Sequence, residues 1–326
     1  MVNFIAFVIL LISLISYAKS PSDSLKKLTK NIYGVFGVPE QVNSENRGFI
    51  SNAYFYISGK YIVVFDALSS YELGKELISA IRSVSSKPIK YLIITHYHTD
   101  HFYGIQAFKE INTTTIAHKW AYEYLSDPYA TQFFKSRKKV LGKHLKGTKI
   151  IPPDIAIDSE AIIDLETEVM EIKQVCKGHT KGDIIIYIPK ENVLVVGDLI
   201  FDERVPFLGS GNSKSWIKCI DEIIKLKPKL VLPGHGTVLF GQENIINKAN
   251  FTKQYILDLR NIIKRWIDEF GYDVDYVKSK IVKAMIEKNP KYNLSFYSDK
   301  VKPVTTLMMS ANYLQKNYDE EMIEHM

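Results

Sequence analysis

Two mixed β-sheets packed face to face, with helices on both outer surfaces and a helical C-terminal extension, are the architecture this sequence predicts: an α/β (α+β) chain of αββα type. Three observations predict it. Apolar runs of strand length alternate with segments of helical periodicity as far as residue 242. Several of those runs end beside a glycine and a histidine or aspartate, which is the composition of a loop at a strand end. From Glu243 onward the pattern turns helical.

The elements follow in order. Residues 4–18 are apolar and precede Lys19-Ser20-Pro21. That stretch is short for a membrane span, and Ser16-Tyr17-Ala18 offers a small-x-small cleavage site. Residues 1–18 therefore read as an export signal, and the mature protein as periplasmic or secreted. Met1-Val2-Asn3 carries no basic side chain, so an uncleaved N-terminal anchor is the alternative; without it no stable membrane insertion is expected. Residues 31–38, 48–58 and 61–68 read as strands and 71–84 as a helix. Strand, loop and helix then run from 91 to 110, with a helix opened by Asp100 and His101 and running through Phe102 to Glu110, and a short strand covers 114–116. Residues 119–146 read as helical with a break at Pro128; 149–198 is strand-rich; 213–226 reads as a helix. Residues 245–270 form a long amphipathic helix, with Ile246, Phe251, Ile256, Leu259, Ile263 and Trp266 near helical spacing and Gly271 at its end. Further helices are expected at 274–288 and 303–317. The domains are thus a signal over 1–18, a main α/β domain over 19–242 and a helical extension over 243–326.

Composition narrows the classes. With 46% hydrophobic and 24% charged residues, the 326-residue chain reads as an ordinary globular protein. The net charge of +6 comes from dispersed lysines. There is no basic run interleaved with aromatics, so no nucleic-acid partner is expected, and the expected partner is a small-molecule substrate.

Chemistry concentrates in Thr95-His96-Tyr97-His98-Thr99-Asp100-His101, directly after Tyr91-Leu92-Ile93-Ile94. Imidazole and carboxylate are the ligands of zinc-like metals. His96 and His98 can point the same way from a short extended turn, and Asp100 suits the positive end of a helix that opens there. Three more stretches read alike: Gly178-His179-Thr180-Lys181-Gly182-Asp183, then Gly197-Asp198, then Gly234-His235-Gly236. No serine-nucleophile motif or Gly-rich nucleotide loop is present.

These four stretches, over roughly residues 32–241, resemble the metallo-β-lactamase superfamily in its dinuclear hydrolase form. The resemblance implies that His96, His98 and His179 bind one metal and that Asp100, His101 and His235 bind the second. Asp198 would bridge them, and Asp66, after Tyr61-Ile62-Val63-Val64-Phe65, would orient a ligand histidine. It implies two Zn2+ per chain, with iron or manganese able to occupy the same set. The implied chemistry is attack on an acyl-type bond (thioester, ester or lactone) by a hydroxide held between the metals, with Asp100 holding that hydroxide by a hydrogen bond. In several relatives a helical tail like this one shapes substrate binding; plain core packing is the other reading. Asp202 to Trp216, with Gly209 and Gly211, is expected as a mobile flap over the metals.

Finer resemblance is to the SoxH-like branch, the quinoprotein relay system zinc metallohydrolases. It rests on the run from His96 to Phe108 and on Arg204-Val205-Pro206-Phe207, with Lys181 departing from the usual proline. Alternatives stay open. The best-known zinc β-lactamases place cysteine where this chain has Asp198, and a substrate-binding lysine where it has Phe201, so β-lactamase activity is an alternative and not the first reading. A mononuclear-iron persulfide oxygenase uses fewer ligands. A non-catalytic metal-binding accessory protein would keep the site without turnover. Cys176 and Cys219 occupy no ligand position and read as buried free thiols; His118 reads as structural, His144 as exposed and His325 as part of a frayed terminus.

Overall fold

The computed structural model describes residues 20–202, 204–271 and 273–292. The export signal, the helix expected at 303–317 and His325 lie outside the described residues.

One seven-stranded sheet runs β1 (Lys26–Lys27), β2 (Ile32–Val35), β3 (Ala53–Ile57), β4 (Ile62–Phe65), β5 (Ile89–Ile93), β6 (Thr114–His118) and β7 (Ile155–Ile157), in sequence order across the sheet. The pairs β1 to β4 are antiparallel and β4 to β7 parallel. A six-stranded sheet contains β8 (Glu160–Asp164), β9 (Val169–Lys173), β10 (Ile185–Ile188), β11 (Val193–Gly197), β12 (Leu230–Pro233) and β13 (Leu239–Phe240), of which only β11 and β12 pair in parallel. Parallel neighbours need a crossover. The chain supplies α1 (Tyr71–Val84) between β4 and β5, α2 (Thr99–Phe102) and α3 (Ile105–Lys109) between β5 and β6, α4 (Trp120–Ser126) and α5 (Pro128–Leu141) between β6 and β7, and α6 (Ser213–Lys225) between β11 and β12.

Period-two alternation produces the layers. On β4, Ile62 and Val64 join the core under α1, while Val63 and Phe65 face the other sheet. On β11, Leu194 and Val196 face α6, while Val193 and Val195 meet the first sheet. The sheets bury their inner faces on each other and their outer faces under helices, so the αββα expectation holds. Helix α1 shows the local logic. Ser70 accepts from the Leu73 N–H as its cap, and Leu73, Leu77 and Ile81 return to one buried face. Truncating a fully buried leucine such as Leu77 to alanine would cost about 2–5 kcal/mol.

Three expectations change. The single helix expected to open at Asp100 and His101 and run to Glu110 does open there but is broken into α2 and α3, because a Cβ on Gly104 would lie 1.9 Å from the Ala67 carbonyl and the backbone crosses there. In the extension, α7 (Gln242–Phe270) and α8 (Val274–Lys288) form, but Ile245, and not Ile246, is the fully buried residue of the first turn. Most of α7 is core packing against α6, and Thr252 also accepts a bond from the Phe201 N–H beside the site. Finally, Cys176 and Cys219 are not free thiols. They form a disulfide across 43 positions, with Cα atoms 5.5 Å apart, a normal separation for such a link. The α6 helix carries Cys219 to the strand leading to His179, a juxtaposition that sequence spacing does not reveal.

Candidate metal centre

The four stretches meet where the two sheets converge. His96 and His98 follow β5, with His98 as the N-cap of α2 and Asp100 and His101 in its first turn. His179 sits between β9 and β10, Asp198 directly follows β11, and His235 follows β12. The side chains form three overlapping clusters: His96, His98 and His179; His96, His101 and Asp198; and Asp100, His101 and His235. Within each, the donor atoms lie within 4.8 Å of one another. Nε2 of His179 is 2.8 Å from Nδ1 of His98. Asp198 reaches all sides, its oxygens lying 3.4 Å from His179 Nε2, 3.5 Å from His101 Nε2 and 3.2 Å from His235 Nε2. Asp100 Oδ2 is 3.2 Å from His235 Nε2. All seven sequence-predicted donors are brought together.

Neighbouring groups fix which nitrogen each ring presents. His101 Nδ1 donates to Asp66 at 2.8 Å and His179 Nδ1 to the Phe207 carbonyl at 3.0 Å, while His235 Nδ1 lies between the Ile50 carbonyl at 2.8 Å and an Arg204 N–H. The Thr95 hydroxyl donates to Asp66 and so is free to accept from His96 Nδ1. Each of the four rings thereby turns its Nε2 toward the centre. Asp66 sits where the resemblance expects it. Its backbone φ is +66°, a left-handed turn that an aspartate tolerates better than most residues, and it brings the carboxylate under His101 and Thr95.

Sequence reasoning assigned no role to several supports. The Asp183 carboxylate accepts from the N–H groups of Gly178 and Thr180 and from the Thr180 hydroxyl, closing the His179 loop on itself. Its place four residues after His179 was the only available signal. Asn52 ties the two sheets together by donating to the Pro233 and Gly236 carbonyls, and Tyr54 donates to Pro233. Gly234 is required by proximity: a Cβ there would lie 2.1 Å from Asp198 Oδ1. The segment expected as a flap lies over the site and is packed down, with Val205 and Leu208 buried and Arg204 beside His235. His118 is structural, bonding the Asp158 carbonyl and the Trp120 N–H. His144 is not fully exposed and lies 3.5 Å from Glu72.

Electrostatics prepare these groups for a cation. Burial, with the neighbouring imidazoles, holds His96 and His98 well below the usual histidine range and His179 down to about 4, so these rings are neutral, the ligand form. His101 differs: burial opposes its charge, but Asp198, Asp100 and Asp66 push it up to about 10. Burial would raise Asp100, yet His101 and His235 hold it well below the carboxylate range. Two buried atoms at the centre, His96 Nε2 and Asp198 Oδ1, have no hydrogen-bond partner. A buried donor set of imidazole nitrogens and carboxylate oxygens, with such atoms aimed inward, fits a divalent cation of zinc type.

The centre floors a cavity of about 510 Å³. Its walls carry Tyr97, Trp120, Tyr124, Phe133 and Phe207, so α4 and α5 supply an aromatic side of the cavity that the strand and loop motifs did not announce.

Comparison with known proteins agrees with this geometry. The family described as "Metallo-beta-lactamase superfamily" matches residues 46–235. A metallo-beta-lactamase type 2 from Elizabethkingia meningoseptica is 24% identical over 222 residues, covering 67% of this chain and 80% of the relative. A linear primary-alkylsulfatase from a Pseudomonas species is 21% identical over 256 residues, 68% of this chain, which spans only 48% of that protein. Among solved structures, a metallo-beta-lactamase from Pontibacter korlensis superposes with a TM-score of 0.53 at 18% identity, over 69% of this chain and 98% of its own; at that identity the likeness concerns the fold.

Proposed function

This chain belongs to the metallo-beta-lactamase superfamily and is a metal-dependent hydrolase with a buried His/Asp site; from that premise we propose that it is a dinuclear zinc enzyme that cleaves an acyl-type bond, a thioester, ester or lactone, of a small molecule. The observation that carries this reading is the overlap of the clusters on Asp198 and His101, which gives one connected set of donors room for two cations. His96 Nε2, His98 Nδ1 and His179 Nε2 would hold the first cation; Asp100, His101 Nε2 and His235 Nε2 the second; Asp198 both. When bound, such cations supply activated water near neutral pH and charge stabilisation for a developing oxyanion.

The protein's own groups do the rest. Asp100 is ionised and is the more accessible of the two central carboxylates, with 15% side-chain exposure against 5% for Asp198. It is placed to accept a hydrogen bond from the attacking water, orient it and take its proton. Asp66 and the Phe207 carbonyl orient the His101 and His179 imidazoles, so these donors need no rearrangement during turnover. Phe201, stacked on His235, and Trp216, against His179, keep water off the outer side of those rings.

Within the superfamily we assign the chain to the SoxH-like branch on the run from His96 to Phe108 and on Arg204-Val205-Pro206-Phe207. Export belongs to the same reading, and the Cys176–Cys219 link supports it, since disulfides persist in oxidising compartments. A second reading, β-lactam hydrolysis, is favoured by relatives named metallo-beta-lactamases. Against it, the Phe201 ring is buried and stacked on His235, so that position offers a substrate no cation.

The test is metal content of purified protein together with turnover of a thioester, a lactone, a β-lactam and a phosphodiester. About two zinc ions per chain and chelator-sensitive cleavage of the thioester or lactone are expected, abolished by His96→Ala and by Asp100→Ala. Exclusive β-lactam turnover would move the chain to the second reading. Full activity in a metal-replete His96→Ala protein would end the first.

A further inference from the structure

The α4–α5 pair carries a cation that the metal site does not use. Arg137, on α5, lines the main cavity and also a small cleft behind Asp100 that Tyr103 lines from the other side. Its guanidinium lies 4.8 Å from the centroid of the Phe133 ring, which fixes its plane. Its Nε is buried and has no hydrogen-bond partner. The hydroxyl of Tyr103, a residue 1% exposed, faces the Tyr124 hydroxyl. The Tyr124 hydroxyl, on the cavity wall, also feels the Arg137 charge. Glu123 and Asp127 line the cavity as well, but neither is within ion-pair distance of Arg137 among the described residues, and Asp127 instead caps α5 through the Tyr129 N–H.

A buried donor without an acceptor is costly, and the Arg137 side chain that carries it lines the same cavity as Asp100. The chemistry that satisfies them is a planar oxyanion, which a guanidinium grips with two parallel bonds. We propose that Arg137, assisted by the Tyr124 hydroxyl, is a specificity residue that binds a carboxylate on the substrate remote from the scissile bond. Phe133, Trp120 and Tyr124 would cover the apolar body that joins the two. The substrate class is then an acyl compound with an apolar spacer and a free carboxylate. This rests on the acyl-hydrolase reading above, and its test separates the two.

The first arm is kinetic. S-phenyl monothioglutarate and S-phenyl thiopentanoate share a scissile bond and differ in whether the acyl chain ends in a carboxylate or a methyl group. The wild-type protein should prefer the carboxylate in kcat/KM, mainly through KM. Arg137→Met should shrink that preference roughly 10- to 100-fold, Arg137→Lys should shrink it less, and Tyr124→Phe should do so weakly. The second arm needs no turnover: calorimetric binding of phenylbutyrate and of its neutral amide to the metal-free protein, where no bound metal can hold the carboxylate. Arg137→Met should remove the advantage of phenylbutyrate. Thermal unfolding checks that each variant is folded, and Arg137→Lys, which keeps stem and charge, carries the comparison if Arg137→Met is not. An unchanged preference in Arg137→Met, in rate or in binding, overturns the assignment. Absence of turnover with an intact, Arg137-dependent carboxylate preference in binding would overturn the acyl-hydrolase reading and leave the subsite standing.

Discussion

The first sheet delivers four donors, His96, His98, Asp100 and His101, from one loop after β5, whereas the second delivers His179, Asp198 and His235 from three separate loops. The first set is held by local geometry: one strand end, one helix start and a carboxylate, Asp66, beneath them. The second set depends on long-range fits, such as Gly234 against Asp198 and Asn52 across the sheets. A local loop can tolerate the loss of one donor while the others keep their places. A set assembled by tertiary contact has its centre in the residue that touches everything, Asp198.

The sharpest way to break that comparison is Asp198→Ala against His98→Ala. Asp198→Ala should empty both metal positions and abolish turnover, while His98→Ala should spare the second position and leave roughly half the metal. Elemental analysis of dialysed protein reads both, and full metal content in Asp198→Ala would refute the contrast. Next in size are the supports. Asp66→Ala and Asp183→Ala should each weaken zinc binding roughly 10- to 100-fold, Asp66 through His101 and Asp183 through His179; competition with a chromophoric chelator would resolve the two. Replacing both Cys176 and Cys219 by serine should lower stability by about 2–4 kcal/mol with a smaller effect on affinity, as measured by denaturant unfolding; equal unfolding midpoints would show that the link does not restrain the chain. The last effect is protonic. His101, held up to about 10, carries a proton in the metal-free protein at neutral pH and must lose it to ligate. Zinc binding should therefore release a proton near pH 7 and tighten as pH rises toward 10. Calorimetry in two buffers of different ionisation enthalpy gives the sign, and an unchanged apparent enthalpy would contradict it.

The same contrast explains what the sequence disclosed. All seven donors were legible because each stands beside a glycine or within a dense histidine run at the end of an apolar strand. Helix α1 and helix α8 were legible to their boundaries because their apolar periodicity and capping residues agree. The break at Gly104 was not, because its cause is the Ala67 carbonyl on another segment. The disulfide was not, because it joins a strand end to a helix across 43 positions. The role of Arg137 was hidden in a lysine-rich helix that reads as solvated surface, and only packing shows its Nε to be buried.

The link between Cys176 and Cys219 bears on metal choice during maturation. Thiolates are softer and stronger ligands for zinc and copper(I) than imidazole or carboxylate, and Cys176 stands three residues before His179. A reduced, partly folded chain would offer a thiolate, an imidazole and nearby carboxylates to whichever soft ion arrived first. Oxidation withdraws both sulfurs from that competition, so the ion that finally enters meets only nitrogen and oxygen. With Cys176 and Cys219 joined, the folded chain offers no free thiolate beside the imidazole and carboxylate donors.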